Sequence, residues 1–152
     1  MTRQTSDQTN KLIDKFLRHE NLRMEAIRQQ NVPKANRHLL KSSEAGAILR
    51  STAEGRAELE ALLDDPELHV GVAAAEEVMR WDPDKVIPLF GRLLDLDGDL
   101  SHIDSVDERG DIRLRARLWL YKHFNIRNAD RNELIEPLKS YGVNLKRREY
   151  PQ

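Results

Sequence analysis

The sequence predicts an all-α fold of about six to seven helices, on three observations. Apolar residues recur at helical spacing through most of the chain, residues that open helices stand in front of those runs, and the one stretch that alternates like a strand has no second strand to pair with. At 152 residues the chain is long enough to bury a core without covalent staples. The expectation is a single domain over 1–152 with flexible ends at about 1–6 and 143–152.

Leu12, Ile13, Phe16, Leu17, Met24 and Ile27 form the first apolar series, with Lys11, Lys15, Arg18 and Arg23 between them, and predict a long helix over 7–29. Asn31 as cap and Pro33 near the first helical position open a second helix through Ala35, Leu39, Leu40, Ala47 and Ile48. Ser51-Thr-Ala-Glu54 fits a capping box, so a third helix is expected over 54–63, burying Ala57, Leu59, Leu62 and Leu63. Asp65-Pro66 and Asp82-Pro83 repeat one start signal: Asp accepts the opening amides, and proline gives up only an N–H that had no partner. Helices ending near Trp81 and near Leu94 should follow them.

Residues 109–124 alternate apolar and basic side chains as a half-buried strand would. A lone strand would leave its backbone groups unpaired, so helix is the better prediction. As a helix, Ile112, Ala116, Trp119 and Leu120 share a face that Leu114, Leu118 and Tyr121 extend. A last helix starts near Asp130 and stops at Tyr141-Gly142, where glycine suits a left-handed terminus. The tail, with Lys146, Arg147 and Arg148, is expected to lie over the surface or fray. Trp81 and Trp119 are expected in the core, each indole N–H on a carbonyl.

The absence of cysteine excludes disulfides, thiolate metal sites and a cysteine nucleophile. No apolar leader core opens the chain and nowhere do eighteen apolar residues run together, so a cytoplasmic protein with no membrane partner is expected. The net charge of −1 hides a strong division. Residues 1–53 carry 10 Lys/Arg against 5 Asp/Glu, residues 54–111 carry 5 against 17, and residues 112–152 carry 10 against 4, or +5, −12 and +6. Such asymmetry bears on partners rather than on fold.

The acidic segment DLDGDLSHIDSVDERGD, residues 95–111, concentrates seven carboxylates with one cation. Asp95, Asp97 and Asp99 occupy the first three ligand positions of an EF-hand-like loop. Leu100 stands where that loop needs its glycine, however, and Val106 where it needs a bidentate Glu, so a solvated connection fits better than a calcium site. Acid–base use of Asp104, Asp107 or Glu108 with His102 would need converging geometry that spacing does not supply. His19, His38, His69, His102 and His123 include no pair at i, i+3 or i+4, so no metal site and no cofactor is expected.

The stretch from Leu59 through Asp65-Pro66 to Val78 holds a helix, a turn and a second helix opening with Val70, Val72 and the alanines at 73–75, small side chains that let a neighbouring helix come close. It resembles a HEAT-like repeat over residues 56–94, with a weaker match at 112–120, and the resemblance implies a right-handed α-α superhelix. Gly71 stands where such units often carry an arginine, which puts a polar ladder between layers in doubt. Together with EAIRQQNVPKANR, residues 25–37, the chain resembles a family of small bacterial HEAT-like proteins known as domain of unknown function twenty-nineteen, over roughly residues 10–95. That family has no established activity to carry over. Some small helical proteins of this kind are immunity proteins that neutralise a secreted toxin.

The function expected from these readings is non-enzymatic protein binding. Asp95, Asp97, Asp99, Asp104, Asp107, Glu108 and Asp111 would form an acidic docking surface for a basic partner, such as a bacterial toxin neutralised by an immunity protein. The alternative is nucleic-acid binding through Arg113, Arg115 and Arg117, with Lys122, Arg127 and Arg131 beside Trp119 and Tyr121, which the acidic middle of the chain opposes.

Overall fold

The computed structural model describes residues 5–94, 103 and 105–149. Among them lie seven α-helices, two 3₁₀ turns and no strand, so the chain is all-α. No helix among the described residues is long and apolar enough to cross a membrane. The contacts divide the chain into two compact units, residues 1–81 and 82–152.

The first unit holds α1 (Asp7–Arg28), α2 (Val32–Arg50), α3 (Ala53–Ala61), a 3₁₀ turn (Leu62–Asp64) and α4 (Leu68–Val78). Ser6 caps α1 by accepting from the Thr9 amide, and Asn31 caps α2 by accepting from the Lys34 amide at 3.2 Å. Gln30 takes a positive φ of 59° in the tight turn that folds α2 back onto α1. The expected capping box is displaced by one residue: Thr52, not Ser51, accepts from the Gly55 amide at 3.0 Å. Glu54 is thereby left to serve another helix. Its carboxylate accepts from the Ser6 amide and, at 3.2 Å, from the Thr9 hydroxyl, tying α3 to the first turn of α1.

Asp65-Pro66 marks a turn rather than a helix start. Asp65 accepts from the Glu67 amide at 2.8 Å, and α4 begins only at Leu68 with no side-chain cap. α4 is buried on nearly every side, His69 to Ala75 and Glu77 to Met79 included, and packs against α1, α2 and α3. Its small side chains permit this, as the sequence suggests, and Gly71 does the same: an added Cβ would sit 3.2 Å from the Leu63 carbonyl oxygen. Trp81 is half-buried, with its indole N–H on the Glu60 carboxylate at 3.1 Å and the Arg56 guanidinium over its ring, not on a core carbonyl.

Two polar positions interrupt the apolar face of α1. Glu20 and Arg23 are 0% and 3% exposed, and the guanidinium grips the carboxylate at 3.0 and 2.9 Å. His69 of α4, equally buried, lies 3.4 Å from the same carboxylate. A charge taken out of water is tolerated only when paired and hydrogen-bonded, and here the pair also joins α1 to α4.

The second unit holds α5 (Pro83–Arg92), α6 (Val106–His123), a 3₁₀ turn (Arg131–Leu134) and α7 (Ile135–Lys139). Pro83 is the first residue of α5, as expected, but Asp82 makes no side-chain cap bond. Residues 109–123 are helical, within α6, which Ser105 caps by accepting from the Glu108 amide at 3.2 Å and Phe124 follows as the C-cap. Ile112, Ala116, Leu120 and Tyr121 face the core of this unit. Leu114 and Leu118 do not extend that face; they are 44% and 55% exposed. Trp119 is half-buried, with the Lys122 ammonium over its ring. Gly142 ends the last helical segment at φ +76°, in the left-handed region the sequence assigns to it. Beyond it, Val143 and Leu145 are buried, and Val143 packs where Gly91 of α5 leaves room.

Candidate functional site

The described surface of the second unit contains a cleft of about 230 Å³ into which four arginines converge: Arg113, Arg117, Arg131 and Arg148. Leu94, Gly110 and Leu114 complete its lining. The α-helix explains half of the cluster. Gly110, Arg113, Leu114 and Arg117 are three or four residues apart, so they share one face of α6. Arg115, two residues from each arginine, falls on the other side of the helix, where its guanidinium lies 3.7 Å from Asp111.

The other two arginines reach the cleft through the tail. Asp130 opens the 3₁₀ turn by accepting from the Asn132 amide at 2.9 Å. The Asn132 side chain then pairs with the backbone of Arg148 as a neighbouring strand would: it donates to the Arg148 carbonyl at 2.7 Å and accepts from the Arg148 amide at 2.8 Å. Arg131, only 4% exposed, donates to the Lys146 carbonyl at 2.7 Å. Residues 143–149 are thus held by two buried apolar side chains and three side-chain-to-backbone bonds.

The electrostatics are one-sided. Among the described residues, Arg113, Arg117 and Arg148 form no ion pair and no carboxylate lines the cleft. Burial, then the neighbouring charges of Arg148, Arg109 and Arg117, hold the Arg113 guanidinium below the ordinary arginine range. A group in that position gains from an anion that cancels its neighbours. Planar guanidinium forks match the paired oxygens of phosphate, and several around one hollow can grip it from different sides.

The acidic segment contributes little that the structure describes. Asp95, Asp97, Asp99 and Asp104 lie outside the described residues. Asp107 is exposed in the first turn of α6, Glu108 is buried, and Asp111 lies beside Arg115. Among the described residues no group of three or more His, Asp or Glu side chains could hold a metal ion. The fold does bring together two histidines that spacing keeps apart: the Nδ1 atoms of His19 and His38 lie 3.0 Å from each other.

Arg113, Arg117 and Arg131 are thus the sequence-predicted residues that meet, and Arg148, expected in a surface tail, is the cleft residue that prediction did not place. A signal for it exists in the tail, where Val143-Asn-Leu145 alternates as an anchored extended segment does. No family model, curated protein or solved structure matches this chain.

Proposed function

We propose that this protein is a non-enzymatic helical binding module whose second unit grips the phosphate backbone of nucleic acid in the arginine cleft. The observation that carries this reading is the convergence of Arg113, Arg117, Arg131 and Arg148 on one hollow that no carboxylate of the described residues lines. Arg113, Arg117 and Arg148 form no ion pair among the described residues, and three cations exceed what a single carboxylate would balance, whereas successive phosphodiesters supply one charge each along a chain. Exposed Leu114 and Leu118 beside the arginines offer apolar area for sugar or base. In the first unit, the α1–α2 hairpin packing on α3 and α4 is the kind of layering that a HEAT-like superhelix repeats.

An acidic docking face for a basic toxin would have to be built from the 95–111 segment, and its described carboxylates favour it less. Glu108 is buried and Asp111 is occupied with Arg115.

The test is binding of a labelled oligonucleotide, followed by fluorescence anisotropy at low salt. Arg113→Ala and Arg117→Ala should each weaken binding about tenfold or more, and Arg115→Ala should leave it near wild type. The logarithm of affinity should fall with the logarithm of salt with a slope of about −2 to −3, as expected for three phosphates neutralised. Absence of binding at about 50 mM salt, or equal losses for Arg115→Ala and Arg117→Ala, would end the proposal.

A further inference from the structure

The first unit carries a second group of cations that its own carboxylates leave unneutralised. Lys11, Lys15 and Arg18 stand at i, i+4 and i+7 on α1, so they rise along one face over about 10 Å. With Asp14 and His19 they line a hollow of about 410 Å³. Lys41 of α2 adds its charge at the same place, since it acts on His19 together with Arg18 and Lys15. None of these four cations forms an ion pair among the described residues.

His19 and His38 meet at the edge of this hollow. Their Nδ1 atoms are 3.0 Å apart, their ring centroids 5.3 Å apart, and their planes differ by 28°. The rings therefore face each other nitrogen to nitrogen, and one Nδ1–H must donate to the lone pair of the other ring. The neutral pair can accept a single proton, on the Nε2 of the donor ring, and becomes an imidazolium held on an imidazole. A second proton would need the lone pair already used in the bond, so the bonded pair holds one added proton and no more.

The groups facing the pair set its charge. Burial first, then His38, Arg18, Lys41 and Lys15, keep His19 less basic than a free histidine. Asp14 lines the same hollow, and the Glu20–Arg23 pair with His69 occupies the buried side of α1. An anion among the three cations would cancel the influence that keeps the proton away.

We infer that the α1–α2 face is a second anion-binding surface, for the phosphates of a nucleic-acid chain, and that the His19–His38 pair takes up one proton as the phosphate arrives. It stands on residues of the first unit alone and does not rest on the arginine cleft.

The experiment uses the full chain carrying Arg113→Ala and Arg117→Ala, so that the cleft is weakened while the first unit is intact. Oligodeoxythymidylate is titrated by anisotropy, and inorganic phosphate is titrated in parallel, with the imidazole resonances of His19 and His38 followed by NMR in both. The expected result is residual oligonucleotide binding that tightens several-fold between about pH 7.5 and about pH 6, with the His19 resonance titrating at higher pH when the ligand is bound. Lys15→Gln with Arg18→Gln should abolish it. His38→Phe should remove the pH dependence of binding; the NMR titration of the unsubstituted pair decides the case should that variant not fold. Residual binding with no pH dependence, histidine resonances unmoved by the oligonucleotide, or a response to inorganic phosphate without oligonucleotide binding would each overturn the inference. Failure of the cleft proposal is read separately, from the effect of the two arginine substitutions at the higher pH.

Discussion

Three glycines do three different things, and a single methyl group separates them. At Gly55 an added Cβ would lie 2.0 Å from the Leu49 carbonyl oxygen, because the start of α3 crosses the end of α2 with only a hydrogen in the gap. Backbone cannot move aside as a side-chain tip can, so Gly55→Ala should cost about 3 kcal/mol or more, read as a lower urea midpoint. At Gly46 the Cβ would meet the Glu77 carboxylate at 2.8 Å, a flexible end that can swing, and the cost should be smaller. At Gly110 nothing lies within 4 Å, and the site is inside α6. Gly110→Ala should therefore stabilise the protein by about 0.5–1 kcal/mol, because the unfolded chain loses freedom while the helix loses nothing. The buried Glu20–Arg23–His69 group tests a different rule. Glu20→Gln removes the negative charge that the buried Arg23 guanidinium grips and should cost about 3–5 kcal/mol, while Leu at both 20 and 23 should recover much of that loss. Chemical denaturation of the single and double variants checks it.

At the scale of elements, the arginine cleft is a property of how the tail is tied, not only of α6. Arg113 and Arg117 are placed by helical period, but Arg148 has no helix to hold it. Its position depends on the two bonds from the Asn132 side chain and on the Arg131 bond to Lys146, with Val143 and Leu145 as apolar anchors. Asn132→Ala removes no charge from the cleft, yet it should weaken oligonucleotide binding by several-fold and speed amide exchange at Arg148. If binding were unchanged while exchange rose, Arg148 would not contribute. The second unit also shows why an apolar stripe can mislead. Alternation in 109–124 places arginine, leucine and alanine on every side of a helix, and the core claims Ile112, Ala116 and Leu120 while Leu114 and Leu118 stay in water.

For the whole molecule, helix positions were legible in the sequence because they follow from local signals: periodicity, Asn31 as a cap, Pro83 at a first turn and Gly142 at an end. The partners of polar side chains were not, because they depend on which helices meet. Glu54 was readable as a capping residue of its own helix but bonds to the start of α1, and the His19–His38 pair joins residues nineteen positions apart. Two titrating groups of opposite tendency then shape the stability of the molecule with pH. His19 is less basic folded than unfolded, chiefly through burial and then through His38 and nearby cations. The unfolded chain therefore binds more protons just below the ordinary histidine value of 6.5, and stability from this site is full above that pH and lost as pH falls. Glu77 behaves the other way. Burial raises it above its ordinary 4.5, against the lowering effect of Arg50 and Arg80, so the folded chain holds a proton that the unfolded one releases. Its contribution declines as pH rises through the raised value, and it offsets part of the histidine loss on the acid side. Replacing Glu77 with Gln fixes that site in its uncharged form and should make stability rise more steeply between about pH 4.5 and 6.5 than in the wild type. Urea midpoints measured across that interval give the comparison; parallel curves would mean that Glu77 titrates no differently when folded, and that the Arg50 and Arg80 charges balance its burial.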